Sequence, residues 1–367
     1  MPKASTSEVQ HSIRDMGAKL GFHSEIEVQF PTLRGAYCPR FDVVWFLEPP
    51  PTVKALADKG LFPKTKWLDY FRRIPIAAFE IEGSTTTSKN QVGNFANLFF
   101  SPCMYNFAVV INSQASNEND TYRRGIKIYR TFRHTSGDKN IVFMDWSQLS
   151  RVKPTGSTSP RFNTSRSYKA RTKGSGGETG ASVDTIAKLA KTLADAGLFV
   201  MYDSKPVQLQ WAYSQVQRHQ ELSRTKNDEI ACGRTAIWDP ETGERRRINK
   251  SEDYFYTPKL DTLGGFYLPL AFTSFLVEAA GHCGPDSYTY PLFNYVLSHT
   301  DDELFFPFVA IEVESGTTKH LNGGIMNMAA FSFLGLLVSP AEGRKHLQTI
   351  KEHSSVGNVF HKEISAV

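Results

Sequence analysis

The segment IPIAAFEIE at residues 74–82 returns near the other end of the chain as FPFVAIEVE at 306–314. Proline, alanine and both glutamates stand in register. Upstream, YCPRFD (37–42) has a counterpart in YTPKLD (256–261), which shares Tyr, Pro, a basic residue and the final Asp. Downstream, GSTTTSKNQVGNFANL (83–98) pairs with SGTTKHLNGGIMNM (315–328) after a two-residue gap. Generic strand composition can produce the apolar part of one match, but not three matches in the same order, two of them with their acids in register. The chain therefore reads as a duplication, which restricts the fold to two copies of one kind of unit.

A boundary between the copies is visible in the composition. Residues 151–182 are rich in Ser, Thr and Gly, lack apolar periodicity and carry seven basic residues against one acid, Glu178. Such a segment buries no core and reads as a basic, flexible linker. With a net charge of +5 for the whole chain, all the excess sits there and the rest of the chain is near −1. Concentrated positive charge suits a phosphate backbone, or is simply a solvated tether. The organisation expected is a first domain over 1–150, the linker, and a second, diverged domain over 183–367. With 367 residues, both units have enough chain to bury a core.

Within the first unit the elements alternate. Residues 5–19 have a capping start and spaced apolar positions, predicting a helix. EIEVQF (25–30) and YCPRFDVVWFL (37–47) predict strands, as does IPIAAFEIE. Residues 90–100 suit a helix and YNFAVVI (105–111) a buried strand. The second unit also opens on a helix, at 185–196. It then departs from the pattern, with about fifty residues between Asp261 and Glu312 that include an apolar helical stretch at 268–280.

Glu80 and Glu82 lie two apart on a strand, so their carboxylates share a face. The residues before them are apolar, which puts the acids near the C-terminal end of a buried strand. Two like charges there repel and lose hydration unless a cation compensates. Hard oxygen donors suit Mg2+, with Mn2+ as a substitute. Asp42, inside the apolar strand FDVVWFL, is the natural third ligand. The alternative is that these acids pair with Arg40, Arg72 or Arg73. Asp261, Glu312 and Glu314 repeat the arrangement in the second copy.

The order helix, strand, Asp-bearing strand, ExE-bearing strand, helix, strand resembles the PD-(D/E)xK nuclease superfamily, which includes many restriction endonucleases. The resemblance implies an α/β fold of two restriction-endonuclease-like domains, each a central mixed β-sheet flanked by helices. It implies metal held by Asp42 and Glu80 and, in the second copy, by Asp261 and Glu312. Glu82 and Glu314 stand where the family has a lysine, as in its ExE variant, which leaves them between metal ligand and general base. Lys89 and Lys319, each after a hydroxyl-rich turn, either reach back toward the scissile phosphate or are ordinary exposed residues. Glu8 on the first helix is a further candidate for the metal shell. The activity implied is Mg2+-dependent hydrolysis of double-stranded DNA, of the type II restriction kind, with a methyltransferase partner in the same system. Such a chain would work as a monomeric pseudo-dimer or as a homodimer. Rival expectations are a low-specificity defence or repair nuclease, or a non-catalytic DNA-binding protein on a decayed nuclease fold.

For DNA contact, residues 235–250 read as a hairpin with three consecutive arginines, Arg245, Arg246 and Arg247. A two-stranded ribbon can enter a major groove, although charged hairpin edges also exist to block aggregation. Arg123, Arg124 and Lys127 are weaker candidates. Cys38, Cys103, Cys232 and Cys283 form no CxxC pair, which argues for a reducing compartment, and no run is long enough to span a bilayer. The expected location is the cytoplasm.

Overall fold

A computed structural model describes residues 4–30, 39–83, 88–111, 125, 141–170, 180–204, 229–230, 236–238, 245–247, 260–282, 304–315, 321–353 and 357–367. The protein is α/β, with two five-stranded mixed sheets flanked by helices. Among the described residues, no helix is long and apolar enough to cross a membrane.

Helix α1 (Thr6–Lys19) starts in a reciprocal cap: the Ser5 hydroxyl accepts from the Glu8 amide, and the Glu8 carboxylate accepts from the Ser5 amide. The first sheet holds β1 (His23–Gln29), β2 (Arg40–Leu47), β3 (Ile74–Gly83), β4 (Tyr105–Ile111) and β5 (Ile141–Asp145), in that spatial order. Short helix α2 (Pro51–Lys54) and two 3-10 segments, Ala55–Asp58 and Lys66–Phe71, lie between β2 and β3. Helix α3 (Ser88–Phe100) crosses from β3 to β4, and α4 (Trp146–Leu149) follows β5.

The second unit opens with α5 (Gly180–Asp195) and β6 (Phe199–Ser204). A separate three-stranded sheet follows, of β7 (Glu229–Ile230), β8 (Ala236–Trp238) and β9 (Arg245–Arg247). The main sheet resumes with β10 (Leu260–Tyr267). After it come α6 (Leu270–His282), β11 (Phe305–Val313), α7 (Leu321–Phe331), β12 (Leu334–Ser339), α8 (Ala341–His353) and β13 (Val359–Glu363). Its spatial order is β6-β10-β11-β12-β13.

The sequence repeat is a structural repeat. In both sheets the first two pairings are antiparallel and the last two parallel. The strand carrying the aspartate is interrupted at the same point, between Trp45 and Phe46 and between Gly264 and Gly265, three residues after Asp42 and Asp261. Past the shift, Phe46 faces Pro75 and Gly265 faces Pro307. A bulge is where a sheet tolerates a proline, which has no amide to give the ladder. The leading helices also end alike. Gly21 and Gly197 both take positive φ, and Phe22 and Leu198 donate back to Gly17 and Leu193.

The units are not beads on a tether. Their buried apolar side chains form one continuous cluster. Phe272 of α6 meets Phe22, Trp45 and Tyr105, and Phe275 meets Trp45 and Phe107. From the other side, Phe71 packs on Phe308, Tyr70 on Phe333 and Phe62 on Phe360. This explains why α6 is apolar nearly all round: it is enclosed on several sides.

The segment expected to be a flexible linker differs from that expectation over 151–170. Its backbone is tied to the second unit: Lys153 N donates to Glu278, Thr155 N to Ser274 Oγ, and Ala271 N to the Ser157 carbonyl. Arg161 exchanges backbone bonds with Tyr267, and buried Asn163 donates to the carbonyls of Ser167 and Leu198. Residues 171–179 lie outside the described residues.

Candidate active site

The antiparallel pairing of β2 with β3 brings Asp42 of β2 beside the C-terminal end of β3. Asp42 Oδ2 accepts from the Ile81 amide at 2.6 Å, so the backbone between Glu80 and Glu82 holds the aspartate. Its Oδ1 accepts from Gln10 Nε2 of α1 at 2.8 Å. Glu80 and Glu82 are both buried, at 3% and 2% exposure. Asn97 Nδ2 donates to Glu80 Oε1 at 3.1 Å, and Asn94 donates to Glu82 Oε1. The two asparagines are three apart on α3, hence on one face.

Burial pushes the Asp42 carboxyl up from 3.8 to about 6, helped by the negative charges of Glu27 and Glu82 and opposed by the Ile81 and Gln10 donors. Glu80 is raised well above the usual carboxylate range. Burial is the main cause, followed by the Asp42 charge, with the Asn97 amide working against it. The arginine alternative does not hold, because Arg40 pairs with Glu27 and Arg73 is bidentate on Glu25, at 2.5 and 2.7 Å. Arg72 is exposed. Among the described residues no ion pair includes Asp42, Glu80 or Glu82.

The second copy repeats the central bond. Asp261 Oδ2 accepts from the Val313 amide, between Glu312 and Glu314, at 2.9 Å. Glu312 is likewise raised well above the carboxylate range, by burial first and then by the Asp261 charge. Its Oε1 is sealed from solvent and has no hydrogen-bond partner.

Each copy thus seats its Asp on the backbone amide between its two glutamates, and in the first copy Glu82 accepts from Asn94. No three His, Cys, Asp or Glu side chains among the described residues converge tightly enough to hold an ion as they stand. The donor chemistry nevertheless fits a hard divalent cation: in the first copy half-buried Asp42 and buried Glu80 and Glu82 are all-oxygen groups with no ion pair to a described residue.

Glu8 does not join this group; it is exposed and engaged in the α1 cap. Two residues on, Gln10 is the residue of that helix that touches the aspartate. Asn94 and Asn97 were also missed, although their NxxN spacing on a predicted helix next to the ExE strand was a usable signal. Lys89 falls in the first turn of α3, with its side chain outside the described residues. Lys319, Arg123, Arg124 and Lys127 lie outside them altogether. Arg245, Arg246 and Arg247 form β9, paired antiparallel with β8, so the hairpin is present. Of the cysteines, Cys103 is buried, and the others lie outside the described residues. Comparison of the chain with protein-family models, curated proteins and solved structures finds no match.

Proposed function

We propose that the protein is a Mg2+-dependent endonuclease of the PD-(D/E)xK kind, acting on double-stranded DNA through two nuclease units in one chain. The observation that carries this reading is Asp42 seated on the Ile81 amide between the buried acids Glu80 and Glu82, none of the three in an ion pair with a described residue, and the same seating of Asp261 on the Val313 amide between Glu312 and Glu314. Like charges in such a place are unfavourable without a ligand, and two copies of the same unfavourable pair argue for use rather than accident.

Asp42 and Glu80 would hold the cation, with Glu82 as the third donor or as the base. When bound, the ion neutralises the carboxylates and polarises a phosphate oxygen. The Ile81 amide and Gln10 fix Asp42, and Asn97 fixes Glu80, so the ligand oxygens need little reorganisation. Glu82, if it leaves Asn94, accepts a proton from the attacking water. The water oxygen bonds to phosphorus, the P–O3′ bond breaks and the leaving 3′ oxygen takes a proton from solvent water, giving a 3′-hydroxyl and a 5′-phosphate. Lys89 and Lys319 are the cationic candidates beside the phosphate. The hairpin arginines Arg245–Arg247 are the candidates for the groove, with Arg123 and Arg124 as further phosphate contacts. A restriction role implies a methyltransferase in the same system and a cytoplasmic location.

The test is digestion of supercoiled plasmid with Mg2+ or Mn2+, comparing wild type, Glu80→Ala, Glu312→Ala and an EDTA control. Cation-dependent cutting lost in Glu80→Ala supports the reading, and nicked circles from either single variant assign one strand to each copy. Discrete bands favour restriction and a smear a low-specificity nuclease. DNA binding without cutting on several unrelated plasmids refutes the catalytic reading in favour of a binding module.

A further inference from the structure

We propose that Arg40 is the side chain that grips the substrate's phosphate at the first site, held ready on Glu27 until DNA arrives. This rests on the proposed reading only in taking a DNA phosphate as the group that enters. Arg40 and Asp42 are two apart on β2, so they share a face of the sheet. On the neighbouring strand Glu27 stands opposite Asp42, between the paired residues Ile26 with Val43 and Val28 with Phe41. Its two oxygens have different partners. Oε1 accepts at 3.4 Å from Gln10 Nε2, the nitrogen that also donates to Asp42 Oδ1 at 2.8 Å. Oε2 accepts from Arg40 Nη1 at 2.9 Å. The guanidinium is thereby tied to Asp42 through Glu27 and Gln10.

Electrostatics gives the arginine a task there. One divalent ion does not cancel the ionised Asp42, Glu80 and Glu82, so a phosphate reaching it still meets negative charge. A guanidinium offsets that charge and matches a phosphate with two parallel N–H bonds. Arg40 is exposed, and among the described residues only Glu27 takes up its guanidinium. That tether is easily exchanged, because its side chains are 60% and 50% exposed and so hydrated a pair contributes little. Glu27 itself sits at φ 61°, a left-handed backbone that a side chain rarely adopts, and such strain gathers where a group has to be placed. The second copy repeats both partners. Asp203 of β6 stands opposite Asp261, between the paired residues Tyr202 with Thr262 and Ser204 with Leu260, where the first copy has Glu27. Lys259, outside the described residues, precedes Asp261 by two as Arg40 precedes Asp42. Charge is kept where shape is not. A charged pair that only guarded the edge strand β1 against aggregation would need neither the shared Gln10 nitrogen nor the repeat.

The experiment measures binding of a short labelled DNA duplex to the full chain by fluorescence anisotropy, in EDTA over a range of salt. Wild type is compared with Arg40→Ala, Arg40→Lys and Glu27→Gln. Arg40→Ala is expected to weaken binding about tenfold and to lower the salt slope by about one, the mark of one lost phosphate contact. Arg40→Lys is expected to keep the slope. Glu27→Gln, which releases the arginine and removes a negative charge, is expected to bind severalfold tighter. Urea unfolding of the variants should differ little from wild type, because the pair is exposed. An unchanged slope in Arg40→Ala, a Glu27→Gln that binds no tighter than wild type, or a wild type that binds no duplex would each overturn the inference. With Mn2+ and supercoiled plasmid, Arg40→Ala is expected to leave nicked circles where wild type gives linear DNA. Linear product at the wild-type rate removes the role of Arg40 alone, whereas a lowered slope without any cutting by wild type removes the nuclease reading alone.

Discussion

Asp42→Asn is expected to abolish cation-dependent chemistry and, in the metal-free protein, to make the fold more stable. Burial raises the Asp42 carboxyl from 3.8 to about 6, so the folded state disfavours its ionisation. The sign follows from linkage. Below the unfolded value both states are protonated and nothing is lost. As pH rises past it the unfolded chain ionises first and gains, and the loss is complete once pH exceeds the folded value. A shift of this size corresponds to about 1 kcal/mol of lost stability near pH 4.5 and about 3 kcal/mol near pH 8. Asparagine removes that loss and keeps an oxygen for the Ile81 amide. Its NH2 then faces Gln10, whose amide must flip, costing up to about 1 kcal/mol. The net expectation is a gain of about 2 kcal/mol near pH 8, vanishing near pH 4.5. Urea unfolding of both proteins in EDTA at the two pH values measures it. A variant no more stable than wild type near pH 8, or one with the same advantage at both pH values, would refute the burial argument.

Two packing predictions accompany it. A Cβ at Gly17 would lie 2.3 Å from Ser24 Oγ and 2.4 Å from Trp45 Nε1, so Gly17→Ala should push α1 off the first sheet. We expect about 1–3 kcal/mol of destabilisation, and a changed emission from Trp45, which now donates to the Ile13 carbonyl. Phe272→Ala removes the ring shared by Phe22, Trp45 and Tyr105 and should cost about 3–5 kcal/mol by chemical denaturation.

The acids were legible because strand alternation and burial act locally, and because the duplication printed them twice. The sheet order beyond β4 was not. β5 (IVFMD) is a short apolar run that periodicity alone cannot assign. The amide partners were hidden for a different reason. Gln10 and Asp42 are 32 residues apart, and only the docking of α1 on β2 makes one a partner of the other. Glu8 misled as an acid on the right helix, yet its spacing from Ser5 already spelled a cap. Residues 151–170 misled because composition reports only side-chain burial. Their fixed position comes largely from backbone bonds to α6, β10 and the end of α5, which leave little trace in residue type.

That tied segment bears on how two sites could work on one duplex. If the connection set their relative position, any lengthening of it would blur the spacing of the two cuts. Here the aromatic contacts of Phe272, Phe275, Phe308 and Phe333 fix the units directly, independent of the chain that joins them. Inserting about ten Gly and Ser residues within 171–179 should therefore leave the cut stagger unchanged, since a longer loop adds only a small closure entropy. Sequencing the ends of plasmid fragments from the wild type and the insertion variant reads this directly. A broadened or shifted stagger would mean that the shared core does not hold the two sites in register on DNA.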